Sequence, residues 1–307
     1  MDLLYCILSV TILHSADCNI HERLSNLYTT NFCRHKCGFK YNICCVYKSP
    51  EIAGPLCRDH MEAIEMLESD RLVVLDAFNK IRNLTAGGEA PRVHLRGIYA
   101  ANMHILSYSK QLEYTAACWA KQCRLNHSRC RANEYGAIGE AICWKLAESS
   151  MVRRSFHKLL ARCPGYYMNS YPDIHTKVID SVTFPTMGDD ERNRETTQLL
   201  WAETKYVGCF AVSYPHVVSD ERIVLLVCHF APAGNVIGKS VFTRGKPCTE
   251  CPLNVPCSSL YKNLCGSIRP FKQDMWIPPL KTDSGTLMFT VKVYYFVIFT
   301  ILLVKQC

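Results

Sequence analysis

The 307-residue chain has no apolar run long enough to cross a bilayer unaided. The two longest, residues 3–13 and 293–304, have 11 and 12 residues, where about 20 are needed. It has no internal repeat, which sets solenoids aside, and no G-x-S-x-G elbow. His21-Glu22-Arg23-Leu24-Ser25 lacks the second histidine of a zinc-protease helix, and Gly234-Asn235-Val236-Ile237-Gly238-Lys239-Ser240 has three residues between its glycines where a phosphate loop needs four. Charge is scarce at 20% of residues, and the net charge of +8 (35 basic minus 27 acidic) is thinly spread. The densest basic cluster, Arg153, Arg154, His157, Lys158 and Arg162, reads as one face of a helix, so nucleic-acid binding is not expected.

Cysteine, by contrast, is abundant: 19 residues at irregular intervals. A reducing compartment retains that many thiols only around metals, which gather them in repeated short pairs. Cys248 and Cys251 form one such pair, but Cys257 and Cys265 are wrongly spaced for a second. Disulfides in an extracellular protein are the expectation. The ends agree with it. Residues 1–16 read as a signal peptide cut after Ala16, although the leader has Asp2 in place of a basic start. At the other end, Asp283-Ser284-Gly285, a short spacer and the apolar run in 286–307 fit a removable tail for a glycolipid (GPI) anchor at Ser284. A retained span, with Lys292 inside it, and an untethered secreted form are the alternatives.

Between the ends, residues 17–66 read as a cysteine-rich lobe, 67–235 as a packed domain, 236–270 as a second cysteine-rich extension, and 271–285 as an extended, proline-containing linker. In the packed domain, Leu72, Leu75, Phe78, Ile81 and Arg82 predict a helix over 69–85, with Ser69 as its cap and Gly87-Gly88 as its stop. Leu112, Ala116, Trp119, Ala120 and Cys123 predict a second helix; Val152, Phe156, Leu159 and Leu160 suggest a third. Residues 207–214 and 223–230 read as strands that a Cys209–Cys228 bridge could pin. The expected class is α+β.

Two segments carry a family resemblance. Leu199-Leu200-Trp201-Ala202-Glu203-Thr204 with Val207-Gly208-Cys209 resembles H-[FY]-T-Q-[IVL]-[IVL]-W-A-x-T…[VI]-G-C, and Cys228-His229-Phe230-Ala231-Pro232-Ala233-Gly234-Asn235 resembles C-x-Y-x-P-x-G-N. Together they are similar to the signatures of the CAP superfamily, which includes cysteine-rich secretory proteins, venom antigens and pathogenesis-related proteins. Gly139-Glu140-Ala141 resembles its G-E-N segment, and Cys33-Arg34-His35-Lys36-Cys37 resembles the insect venom-allergen branch. The resemblance covers about residues 30–257 and implies a three-layer α-β-α sandwich with a surface cleft.

In many members two histidines and two glutamates line that cleft and can hold a divalent metal. Matched residue by residue, the cleft positions here are Phe78, Glu140, Arg192 and Glu195, so one glutamate remains and both histidines are replaced. Phe78 offers no lone pair and Arg192 brings a positive charge, so the expectation is a degenerate cleft with no metal and no cofactor. The resemblance also implies pairing of Cys33 with Cys44 or Cys45, Cys37 with Cys130, Cys57 with Cys123, and Cys209 with Cys228. Cys248, Cys251, Cys257 and Cys265 are further bridge residues, their pairing left open. Loss of Cys6 with the leader and Cys307 with the tail leaves 19 − 2 = 17 cysteines. One thiol is therefore odd, with Cys18, Cys118, Cys143 and Cys163 as candidates for it, free or linking two chains. Asn83 and Asn126 head glycosylation sequons.

Two function classes follow. The first is a non-catalytic extracellular binding protein, secreted or tethered, whose partner is a lipid, a sterol or another extracellular protein. Tyr166, Tyr167 and Tyr171 are its candidate ligand aromatics. The second is a hydrolase with a cleft rebuilt around Glu140 and Glu195.

Overall fold

The computed structural model describes residues 31–47, 53–91, 95–134, 136–169, 176–182 and 190–269. Residues 1–16, expected to be a leader, with Cys6, and Cys18, Tyr171, the segment from 270 with Ser284, and Cys307 lie outside the described residues, as do the side chains of Tyr166, Tyr167 and Arg192.

The centre is a five-stranded sheet. Its backbone is a hairpin of β4 (Tyr206–Pro215) and β5 (Arg222–Ala231), antiparallel and with Cys209 directly opposite Cys228, to which it is disulfide-bonded. Outside β5 lies β3 (Gly139–Ala147), also antiparallel, with Glu140 opposite His229. The far side of β4 pairs with β1 (Glu62–Ile64) at one end and β2 (Ser107–Tyr108) at the other. Both faces of the sheet are covered, so β5 reads Ile-Val-Leu-Leu-Val-Cys, an apolar run without alternation.

Helices supply the outer layers. On one face lies α2 (Lys110–Ala120), packed on β4 and β5 and sharing a core with Ile142, Val212, Leu225 and Val227. Ser109 caps it by accepting the Leu112 N–H at 3.3 Å. Gly208 on β4 meets the first turn of α2, where any Cβ would strike the main chain of Ser109, Leu112 and Glu113. On the other face lie α1 (Glu68–Ala86), α3 (Val152–Asn169) and α4 (Asp190–Leu200), which close the larger core of Phe78, Phe156, Leu160, Leu199, Trp201 and Phe230. This is the three-layer α-β-α sandwich expected. The capping of α1 differs from the sequence reading. Its N-cap is Leu67, whose N–H donates to Asp70 at 3.0 Å, and Asp70 is anchored in turn by Arg153 on α3 at 2.7 Å. The helix begins one residue before Ser69, with its first turn closed by this buried carboxylate at the third helical position.

The polar pair Asn79 and Arg82 on α1 faces inward. Asn79 exchanges two hydrogen bonds with the main chain of Leu106, at 2.8 and 3.0 Å. Arg82, fully buried, donates to the carbonyls of Leu199, Trp201 and His104 at 2.7–3.1 Å, with Ala202 and Thr204 at 3.4 and 3.3 Å. One guanidinium thus joins α1, the end of α4 and the entry to β4.

All 16 cysteines among the described residues are paired. Cys33 bonds to Cys45 rather than Cys44, because Cys44 turns inward to Cys118 on α2. Cys37–Cys130 and Cys57–Cys123 also tie the N-terminal lobe to the α2 layer. Cys143 on β3 bonds to Cys163 on α3. This corrects the list of odd-thiol candidates: Cys118, Cys143 and Cys163 are bridged. The C-terminal extension is held by Cys248–Cys257 and Cys251–Cys265, and it docks on α1 through Tyr261, whose hydroxyl donates to Asp76 at 2.7 Å. Asn83 accepts the Asn263 N–H at 3.0 Å, whereas Asn126 is exposed.

Candidate functional site

The site forms where the outer edge of β3 meets the segment after α2 and the second half of α4. Glu140, second in β3, is buried and accepts at both oxygens. Oε1 takes the Ser128 N–H at 2.8 Å and His127 Nδ1 at 2.9 Å; Oε2 takes the Ser128 hydroxyl at 2.9 Å and His229 Nε2 at 3.0 Å. Arg131 stands 3.4 Å from Oε1. Glu195 on α4 approaches from the other side, accepting the Ile142 N–H at 3.4 Å and lying 3.4 Å from His127 Nε2. The His127 ring therefore bridges the two carboxylates across the edge of the sheet.

The electrostatics follow from that bridge. Burial opposes the charge on His127, but its contacts with Glu140 and Glu195 outweigh burial and raise its pKa to about 9. Burial likewise opposes the charge on Glu140; Arg131, His127 and His229 reverse that and hold its carboxyl well below the usual range. His229, fully enclosed, is lowered by burial despite Glu140. At neutral pH Glu140 is therefore ionised, His127 is charged between the two carboxyl groups, and His229 is neutral. An ionised Glu140 requires His229 to carry its proton on Nε2, so Nδ1 accepts the Thr115 hydroxyl, 2.8 Å away. Thr115–His229–Glu140 has the hydroxyl–imidazole–carboxylate order of an acyl-transfer site. Their exposures are 1%, 0% and 4%, which leaves no path for a substrate to the hydroxyl.

Glu140 and Glu195 are thus brought together. Phe78 is not with them: its ring is fully buried in the larger core, edge-on to Phe230 with centroids 5.3 Å apart. Phe78 is therefore a core residue and not a cleft residue as the resemblance implied. The α1 segment points Asn79 and Arg82 at core carbonyls, so it serves the framework and not the cleft. Arg192 falls on α4. Sequence reasoning missed His127, His229, Thr115, Ser128 and Arg131. In the sequence His127 stands only as the middle of a glycosylation sequon, and His229 occupies a variable position of a signature.

Among the described residues, one group of three metal-type donors gathers within 4.8 Å, namely Cys248, Cys251 and Cys265. All three sulfurs are in disulfides, which leaves no thiolate for a metal.

An α-β-α sandwich braced by eight disulfides, with a His–Glu cluster at one sheet edge, defines a class of disulfide-rich extracellular-type domains. The model of the cysteine-rich secretory protein family, CAP, matches residues 75–230. The chain belongs to that family, and it is venom-allergen-like. It is 26% identical over 246 residues to venom allergen 5 of Polistes dominula, covering 79% of this chain and 97% of the relative. It is 28% identical to a cysteine-rich venom protein of Tityus serrulatus, but over 67% of this chain and only 48% of that protein's length. Among solved structures, the crystal structure of NaASP2 with Zn2+ matches with 26% identity and a TM-score of 0.50, over 68% of this chain and all of that one. BmVAL-1 shares the fold at 22% identity and a TM-score of 0.52.

Proposed function

We propose that this is a non-catalytic, extracellular CAP-domain binding protein whose cleft charge is neutralised from within, by the imidazolium of His127 rather than by a metal ion. The observation that carries the reading is the ring's position, 2.9 Å from one carboxylate and 3.4 Å from the other. A divalent cation needs lone pairs. Both nitrogens of His127 are committed to carboxylates as donors, both oxygens of Glu140 are saturated, and Arg131 adds positive charge nearby. A metal would have to displace a proton held with a pKa near 9.

A hydrolase built on Glu140 and Glu195 has less support. Both carboxylates already accept hydrogen bonds from this cluster, and the one hydroxyl aligned with an imidazole is enclosed. Binding of a lipid, a sterol or an extracellular protein elsewhere on the surface is the function class that fits a closed, charge-neutral cluster.

The test is elemental analysis after zinc loading and dialysis at pH 7. The wild-type protein is expected to retain far less than one zinc per chain. Glu195→His removes one clamp on the His127 proton and adds an imidazole, so zinc affinity should rise at least tenfold. Phe78→His should gain no zinc and should lose about 2–4 kcal/mol of stability, because it buries an unpartnered polar ring against Phe230. One zinc per chain in the wild type, lost with Glu140→Ala, overturns the reading.

A glycolipid anchor at Ser284 is part of the same proposal, supported by the small triplet Asp283-Ser284-Gly285 and the apolar run after it. Release from the cell surface by a phosphatidylinositol-specific phospholipase is expected. Surface protein that resists the enzyme and still reacts with an antibody to residues 296–307 is instead a retained span. Cys18 is the thiol this proposal leaves for linking two chains.

A further inference from the structure

Helix α3 carries no aspartate or glutamate in its 18 residues, yet it has Arg153, Arg154, Lys158 and Arg162. Like charges three or four residues apart on a helix repel one another, so a helix of this composition is stabilised by anions from elsewhere. One of the four cations has such a partner: Arg153 binds Asp70 at 2.7 Å and the Glu65 carbonyl at 2.9 Å. Arg154, Lys158 and Arg162 follow at intervals of four along an exposed stripe about 12 Å long. Their side chains make no ion pair or hydrogen bond among the described residues.

Lys158 and Arg162 also line a cavity of about 210 Å³ between α3 and the open edge of β3. Lys145, from the α3-facing side of β3, adds a third cation to it, and no carboxylate lines it. The floor is apolar and rigid: Leu159 with the Cys143–Cys163 disulfide, which fixes the strand to the helix. Trp144, 49% exposed, also contributes to its lining. A pocket of cations, unpaired among the described residues, over an apolar floor, continued by Arg154 along a straight stripe, matches a linear chain that alternates anionic groups with less polar surface.

We infer that the cavity between α3 and β3, with Lys145, Lys158, Arg162 and the neighbouring Arg154, is a binding site for a sulfated polysaccharide chain. Sulfate groups meet the cations and the faces of the sugar rings lie over Leu159 and the disulfide. The linear spacing favours a chain over an isolated anion, and the extracellular setting of a disulfide-bonded protein favours sulfated sugar over nucleic acid. The site is separate from the His127 cluster and does not depend on its state.

The test measures binding of a size-defined, fully sulfated heparin-type oligosaccharide to the intact protein near physiological salt. Two double variants carry the same change in net charge: Lys158→Glu with Arg162→Glu in the site, and Arg34→Glu with Lys40→Glu on the exposed surface of the N-terminal lobe. Unchanged melting temperatures establish that both are folded. The first pair is expected to weaken binding at least tenfold, and the second less than threefold. The desulfated oligosaccharide should not bind. Equal losses in the two pairs, no binding by the wild type, or retained binding of the desulfated chain each overturn the site. Anionic phosphatidylserine vesicles bound through Lys158 and Arg162, with the oligosaccharide ignored, would make it a membrane-facing surface and equally overturn it.

Discussion

Replacing Arg82 by methionine is expected to lower stability by about 3–5 kcal/mol, among the largest losses for a single substitution in this chain. Methionine fills a similar space, so packing loss is not the main cause. The loss arises because the carbonyls of His104, Leu199 and Trp201, each now served within 3.1 Å, would be left buried with fewer donors. Burial lowers the guanidinium pKa to about 9, and its charge survives at neutral pH. Arg82→Lys should recover only part of the loss, since one ammonium cannot reach carbonyls from three segments in the geometry of a fork. Melting temperature is the readout, with a fall of about 10 °C or more for methionine. A fall of less than about 3 °C would show that the carbonyls find other donors.

Glu140→Ala is expected to be comparably severe, about 3–5 kcal/mol. The carboxylate accepts from His127, Ser128 twice and His229, and stands beside Arg131. Its removal leaves His127 and Arg131 as half-compensated cations and His229 as an unpaired donor in a closed site. Glu140→Gln separates charge from shape: it keeps the volume and loses the ion pairs, and should restore less than half of the stability. The pH profile supplies a second readout. Glu140 is held below its unfolded pKa, so its contribution is present above about pH 4.5 and fades as pH falls further. That acid limb should flatten in Glu140→Ala.

Much of the framework was legible in the sequence. The apolar face around Leu112–Cys123 and the two strands with Cys209 and Cys228 lie within about three residues of where they fold, and the face from Val152 to Leu160 marks the first half of a helix that runs on to Asn169. Their patterns are set by one buried face or by two. β3 was not legible as a strand, because Glu140, the exposed Trp144 and Lys145 interrupt both a period-two alternation and a long apolar run. The N-cap of α1 escaped because its acceptor, Asp70, is chosen by a tertiary partner, Arg153. For the site, Glu140 and Glu195 could be singled out, but the ring joining them could not. His127 lies 13 residues from Glu140 and 68 from Glu195, in a short segment with no periodicity. Only the fold of the chain around the β3 edge brings it between them. The assignment of Phe78 went astray for a related reason: residues on α1 are close to the cleft in sequence pattern but turn into the core.

A positive charge on His127 between two carboxylates is tested directly by a nitrogen-15 NMR titration of its ring. With its folded pKa raised from 6.5 to about 9, the group lends stability that is complete below about pH 6.5 and is lost as pH rises through 9. Both ring nitrogens are expected to stay protonated through pH 8, with a midpoint near 9, and added zinc at pH 7 should leave the spectrum unchanged. A midpoint at or below 6.5, or a ring at pH 7 with one nitrogen bare and shifted by zinc, would contradict the account.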